Sequence, residues 1–462
     1  MPLPTTIDDA YNAVNPDVPL QSGDPRYVDM SEVRGGDDLA RLLAERLRRS
    51  DRGEPRLFQR QLITGHRRCG KTTELFRLRH ELERHGYFVV YFDAETELDI
   101  ADISYLDVLL SLAQQVELQL RESPLKIELK SELLQNLKDW FAQTILTRIE
   151  TRDTERVLET EYGLGLESPV AIFARMLATL KGHIKNSAQR RKEIRQELER
   201  ELSAFIERLN ELIDDAQARL KAKGRAGLLV IVDGLEKMLM RDVSAGFTSH
   251  EMMFIHHAEQ LQSPRCHLLY TVPISLLYSR HVQQALGESE VIPMVSVYQR
   301  DGVTPHRAGR DKLVELIARR LDVDAIFADR ALVGRLVEMS GGHPGDLLRL
   351  VRFAFDDSET TVRPEAVEYA IRKLVNDYDR LTHDRDLELL WQVHREKRVS
   401  GDPEFSTLLF NLLILEYNGD RWADVHPAVR ATRRWKEFGA RTPSKPKAAR
   451  RARAKRPATR KK

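Results

Sequence analysis

The chain has 462 residues, with 73 Lys plus Arg against 71 Asp plus Glu, for a formal net charge of +2. Its hydrophobic content of 42% supports a packed core, and its two cysteines, Cys69 and Cys266, form neither a disulfide framework nor a metal motif. No apolar run approaches the ~20 residues needed to cross a bilayer, so collagen-like, disulfide-rich secreted and integral membrane classes are excluded.

The N-terminal MPLPTTIDDAYNAV has no charged start followed by an apolar stretch, so no signal peptide is expected, and two unpaired cysteines fit a reducing, cytoplasmic setting. Residues 1–26 read as an extension ahead of a core over 27–300. Short runs rich in Val, Ile, Leu and Tyr predict strands at Leu62–Thr64, Tyr87–Asp93, Gly227–Asp233, Cys266–Val272 and Val291–Val297, with helical patterns between them. That alternation predicts an α/β fold with a parallel sheet of about five strands. The stretch Ala94–Ala226 is too long for one crossover and reads helical, giving a helical insertion over 105–224. Within it Leu198, Leu202, Phe205, Leu209, Leu212 and Ala216 make a coiled-coil-like seam on a long helix, expected to pack on another helix of the same insertion.

Beyond Gln299 the pattern is helical at Asp311–Leu321, Ala331–Met339 and Gly345–Phe355, with Pro364 starting a further helix. These predict a helical lid over 301–376. Leu408–Val429 reads as a helix and then a hairpin turning at Asn418-Gly419, which predicts a winged-helix-like domain over 377–440. The last 22 residues, Arg441–Lys462, hold 11 basic side chains and no acidic one, leaving a body of −9 and a tail of +11. Without an apolar face, the tail at 441–462 is expected to be disordered.

The strongest chemical signal is Gly65-His66-Arg67-Arg68-Cys69-Gly70-Lys71-Thr72, an ungapped G-x-x-x-x-G-K-[ST] between the strand-like Gln61-Leu62-Ile63-Thr64 and a helix starting at Thr73. Such a loop turns backbone N–H groups onto phosphate oxygens at a helix N-terminus. Lys71 is expected to reach the β- and γ-phosphates and Thr72 to ligate Mg²⁺. Leu228–Asp233 is a buried strand whose Asp233 emerges at the C-terminal edge and is expected to hold the Mg²⁺ shell, with Glu236 placed to orient the attacking water. His256-His257 and His66 have no Cys or acidic partner at ligand spacing, which argues against a histidine metal site.

Together these residues resemble a P-loop ATPase of the AAA+/STAND type, near its NACHT-like and origin-recognition-like branches. Asp233-Gly234-Leu235-Glu236 is similar to the STAND pattern Asp-Gly-hydrophobic-acid rather than to the adjacent Asp-Glu of AAA+ proteins, which implies slow hydrolysis and a nucleotide-controlled switch. Tyr27-Val28-Asp29 and Val33–Leu39 resemble the segment that covers adenine, putting Arg34 at the nucleotide. Leu268–Pro273 resembles a sensor strand, with Thr271 near the γ-phosphate. Ser340–Arg349 resembles the lid motif Gly-Gly-x-Pro, with Pro344 at the base and Arg349 as a second sensor. The resemblance also implies an arginine acting across subunits, for which Arg300, Arg319 and Arg320 are candidates.

The expectation is therefore an ATP/ADP- and Mg²⁺-binding ATPase acting as a switch in signalling, defence or DNA-associated processes, with a nucleotide-dependent homo-oligomer or partner protein. The alternatives are a DNA-binding loader, or a nucleotide-binding scaffold without turnover. The basic tail can neutralise nucleic-acid phosphates but carries no aromatic stacking platform, so any binding through it is expected to be non-specific and salt-sensitive.

Overall fold

The computed structural model describes residues 2–36, 38–55, 57–141, 182, 184–244, 247–278, 285, 287, 289–417 and 422–441. Five parallel strands form the central sheet: β1 (Arg60–Gly65), β2 (Phe88–Asp93), β3 (Leu228–Asp233), β4 (His267–Val272) and β5 (Ser289–Ile292), in the spatial order β2-β3-β4-β1-β5. Both faces are covered, which is why the strand runs are nearly continuous in apolar residues. On β3, Leu229 and Ile231 pack with Leu43, Leu75 and Leu78 of the helices Leu39–Arg52 and Lys71–Arg84. Leu228, Val230 and Val232 face the opposite layer, built by the helices of the insertion. The fifth strand ends earlier than its sequence run suggests, because Pro293 has no N–H to continue pairing with β1. Met294 and Val295 instead pair with the C-terminal hairpin and the lid, through Met294 N to Glu416 O at 2.9 Å and Val295 N to Gly342 O at 3.3 Å.

The insertion contains the helices Tyr105–Glu122, Ser131–Trp140, Ala188–Arg200 and Leu202–Ala222; residues 142–181 lie outside the described set. The seam expected on one long helix is divided at Glu201, whose backbone (φ −108°, ψ 23°) leaves the helix. Leu198, Phe205, Leu209, Leu212 and Ala216 are nonetheless buried in one core with Val108, Leu109 and Val116 of Tyr105–Glu122. The seam is thus internal to the insertion, which builds a whole layer of the domain.

Three lid helices, Arg307–Ala318, Arg330–Ser340 and Pro344–Asp356, lead into Pro364–Leu381, then Leu387–Glu396, Glu404–Phe410 and an antiparallel hairpin of β6 (Ile414–Tyr417) and β7 (Trp422–Val425). The expected boundary at 376/377 falls inside Pro364–Leu381, and the helices on both sides of it share one hydrophobic core with the hairpin. Ile7, Ala10 and Val14 of the N-terminal extension are buried in that core as well. The turn Asn418-Gly419 and the tail beyond Arg441 lie outside the described residues. Among the described residues no helix is long and apolar enough to cross a membrane.

Gly342 joins the lid to the exit of β5. Its φ is +87°, and a Cβ there would lie 1.6 Å from the Val295 carbonyl oxygen. Gly342→Ala is expected to cost about 3 kcal/mol or more, read as a lowered midpoint in urea denaturation.

Candidate functional site

A parallel sheet brings the C-terminal ends of all its strands to one edge, and a cleft opens where the strand order reverses. Here β1 lies between β4 and β5 while the next strand in sequence, β2, lies at the far edge. β1 ends at Gly65, and the loop feeds into the helix Lys71–Arg84, whose N-cap Gly70 supplies no side-chain cap. The first-turn N–H groups of that helix are therefore available to an anion. They open into a cleft of about 620 Å³ lined by the loop together with Arg34, Tyr91, Glu236, Arg320 and Pro344.

Lys71 is buried at 3% exposure. Its Nζ donates to the carbonyls of Gly65 (3.1 Å) and His66 (2.9 Å) and pairs with Glu236 Oε1 at 3.0 Å. Burial is the largest influence and opposes the ammonium, but Glu236, Cys69 and Asp233 together outweigh it and raise the Lys71 pKa. Burial likewise pushes the Glu236 carboxyl up most strongly, and Lys71, Thr271 and the backbone together reverse this, holding it below the ordinary value. Thr271 sits beside the carboxylate and adds to the same effect, short of a full hydrogen bond. Glu236 Oε2 and Thr271 Oγ1 are both buried with no hydrogen-bond partner among the described residues.

Asp93 and Asp233 end neighbouring strands in register. Gly234 follows at φ +81°, a left-handed conformation that favours glycine, and a Cβ there would meet the Asp93 carboxylate at 2.2 Å and have to displace it. This is the physical reason for Asp-Gly rather than Asp-Glu: the chain turns in the left-handed region, and the 3₁₀ turn Leu235–Lys237 returns Glu236 to the cleft. Thr72 Oγ1 donates to Asp233 Oδ2 at 2.6 Å, Tyr91 Oη donates to the same oxygen at 3.0 Å, and the Gly234 N–H donates to Oδ1 at 2.8 Å. Burial and the charge of Glu236 still raise the Asp233 pKa.

This donor set fits Mg²⁺, which takes one or two protein oxygens and completes its shell with phosphate oxygens and water. Thr72 and Asp233 supply a hydroxyl and a carboxylate at hydrogen-bond distance from each other. The described residues contain no cluster of three His, Cys, Asp or Glu that would cage an ion alone. The loop amides, Lys71 and the orphaned Glu236 and Thr271 oxygens suit a phosphate chain with its water.

The structure brings Lys71, Thr72, Asp233, Glu236 and Thr271 together. Arg67, Arg68, Gly70 and Thr73 also line the cleft. Arg34 lines it too, and its Nη2 donates to the Cys69 carbonyl at 2.8 Å. The Cys69 side chain is buried, so it presents backbone to the cleft. His66 turns away: its Nε2 accepts from Glu416 N at 3.0 Å, and burial, with His343 and Lys71 nearby, lowers its pKa to about 3. Arg349 does not reach the cleft. Its guanidinium is held by Asp346 and Asp377, each at 2.8 Å, because the helix Pro344–Asp356 faces it toward Pro364–Leu381.

Of the three arginines considered for action across subunits, Arg319 pairs with Glu315 and Arg300 lines a separate small cavity. Arg320 lines the cleft of its own chain. It is buried and donates to the carbonyls of Arg26 (3.1 Å) and Leu316 (2.8 Å). Among the described residues no carboxylate forms an ion pair with it, and burial beside Arg26 lowers its pKa to about 10. Tyr91 and the segment 16–20 are cleft residues that pattern reading missed. The only sequence signal for Tyr91 was its place two residues before a strand-ending Asp.

No protein-family model matches the chain, and no curated protein matches it. Solved structures similar to it include the Walker-type ATPase paby2304 of Pyrococcus abyssi (14% identity, TM-score 0.40, covering 90% of this chain and 98% of that one). They also include the ORC2 protein of Aeropyrum pernix (12%, 0.39, 93% and 96%) and the RuvB Holliday junction branch migration motor of Thermotoga maritima (12%, 0.36, 91% and 99%). At these TM-scores the likenesses carry no argument about the site, which stands on its own geometry.

Glu236→Gln leaves the Lys71 ammonium buried without a full counter-charge. The nucleotide-free protein is expected to lose about 3 kcal/mol in chemical denaturation. Added Mg-ATP is expected to narrow that gap, because phosphate replaces the missing carboxylate.

Proposed function

We propose that this protein is an ATP- and Mg²⁺-binding P-loop ATPase that works as a nucleotide-dependent conformational switch. The observation that carries this reading is the pairing of Lys71 with Glu236 beside a cleft of about 620 Å³, next to the Thr72–Asp233 pair. In the bound state Lys71 exchanges Glu236 for β- and γ-phosphate oxygens, and the loop amides hold the same chain. Mg²⁺ would be held by Thr72 and Asp233 and would supply neutralisation of the phosphate charge. Glu236, released from Lys71, turns its carboxylate to a water and orients it in line with the γ-phosphate. Thr271 holds the far side of that water. Arg320, a buried cation in no ion pair among the described residues, is the lid residue that meets the nucleotide.

Support for a switch comes from where the lid and the C-terminal hairpin attach. His343 Nδ1 accepts from Asp346 N, so its Nε2 donates to the Arg67 carbonyl at 2.7 Å, while His66 accepts from Glu416 N. Both contacts are made to the phosphate loop itself. A change in the loop on nucleotide binding is thereby felt in the lid and in the hairpin without an intermediary.

The loader reading draws less support. In a winged-helix reader a helix enters the DNA groove. Here the helix before the hairpin, Glu404–Phe410, has no Lys or Arg and packs on the turn Ile274–Tyr278. Nucleic-acid contact then rests on the basic tail.

Lys71→Ala is expected to abolish binding of a fluorescent ATP analogue. Glu236→Gln is expected to retain that binding and to lose turnover by about 10²–10³-fold in phosphate release. Failure of the parent protein to release phosphate from ATP would sink the enzymatic part. Arg320→Ala is expected to weaken nucleotide binding about tenfold, with Arg349→Ala leaving affinity unchanged. Removal of Arg441–Lys462 is expected to abolish salt-sensitive DNA retention in a filter assay without altering nucleotide affinity.

A further inference from the structure

Among the described residues β2 is an edge strand, paired with β3 on one side. An edge strand leaves a row of N–H and C=O groups without a strand partner. At Tyr91 both groups are taken by one side chain: Tyr91 N donates to Gln119 Oε1 at 3.2 Å, and Gln119 Nε2 donates to Tyr91 O at 2.8 Å. A primary amide presents donor and acceptor side by side, so Gln119 completes the strand edge as a sixth strand would. Gln119 belongs to Tyr105–Glu122, the first helix of the insertion. Its amide also donates to Gln115 Oε1 at 2.9 Å, and Gln115 Nε2 donates to Glu97 Oε2 at 3.0 Å. The amide is therefore oriented by a chain of hydrogen bonds rather than free to rotate.

The Tyr91 side chain points the other way, toward the phosphate loop. Its ring packs edge-on against Phe76 of the loop's own helix, at 5.0 Å between centroids. Its hydroxyl donates to Asp233 Oδ2, the oxygen that also accepts from Thr72. Thr72 can offer a lone pair to a cation while its O–H still donates to Asp233, but that hydroxyl then moves with the metal. Tyr91 is the donor to Oδ2 that stands apart from the cation, fixed by the sheet edge. Groups that hydrogen-bond a metal-ligating carboxylate set its orientation, and their loss typically lowers metal affinity by 10–100-fold.

We propose that Tyr91 is a positioning residue for Asp233, itself held by Gln119, so that the helical insertion sets the affinity of the nucleotide site for Mg²⁺. This rests on the reading of Thr72 and Asp233 as the Mg²⁺ ligands. The sequence placed the insertion as an interruption of the core; the contacts make it part of the metal site's support.

The test uses the full chain and binding rather than turnover. A fluorescent ATP analogue is titrated in EDTA and across a range of Mg²⁺ concentrations. Tyr91→Phe keeps the ring and removes the hydroxyl. The Mg²⁺ concentration for half-maximal enhancement is expected to rise about tenfold or more, with affinity in EDTA unchanged. Gln119→Leu is expected to shift it in the same direction by less. The double variant is expected to match Tyr91→Phe alone, since Gln119 acts through Tyr91. Wild-type Mg²⁺ dependence in Tyr91→Phe overturns the proposal, as does equal loss of binding with and without Mg²⁺, which marks a purely structural role. Thr72→Ala is the control on the underlying reading. If it too leaves Mg²⁺ dependence unchanged, the assignment of the metal ligands fails first.

Discussion

A lysine ammonium buried at the mouth of a phosphate loop is the constraint on which the site depends. An isolated charge in that position is too costly to keep, so some anion must stand within about 3–4 Å of it. In this structure the anion is Glu236, brought there by a left-handed turn at Gly234 that favours glycine beside Asp93. A polyphosphate is the other anion that fits the same place. The residue proposed to orient water and the residue proposed to hold phosphate thus restrain one another until nucleotide separates them. Their opposed pKa shifts follow from that contact: each charge stabilises the other in surroundings that favour neither.

Around this pair the loop is tied down from three directions. His343 of the lid holds the Arg67 carbonyl, the hairpin backbone at Glu416 holds His66, and the N-terminal segment reaches Arg68 through Asp17 and Thr73 through Leu20 N. None of these ties is a long-range effect. Each is a hydrogen bond or ion pair to the loop or the first turn of its helix, and a shared core joins the lid, the C-terminal unit and residues 7–14. This is the arrangement expected of a bistable element whose two states differ in local contacts.

The basic loop motif, the buried acidic strand and the five-strand sheet were legible because each depends on short-range rules: glycines where backbone must approach phosphate, continuous apolar runs where both faces are covered. Residues whose role depends on direction were not. The family resemblance implies Arg349 as a second sensor and Arg320 as a candidate acting across subunits; packing instead turns Arg349 toward Asp377 and Arg320, in the turn after the helix Arg307–Ala318, into the cleft of its own chain. His66 sits inside the motif, yet its ring is used by a hairpin 350 residues further on. Gln119 lies in a stretch whose pattern spoke only of helix–helix packing.

By itself, then, the sequence determined a P-loop, a strand-borne acid and a helical lid, because periodicity and backbone chemistry are written locally along the chain. Tertiary structure alone decided which arginine meets the cleft, why a glycine parts the two acids, and that Tyr91 shares Asp233 with Thr72. Those outcomes turn on a few ångströms and on which face of an element is covered, and such quantities exist only once separate segments have packed together.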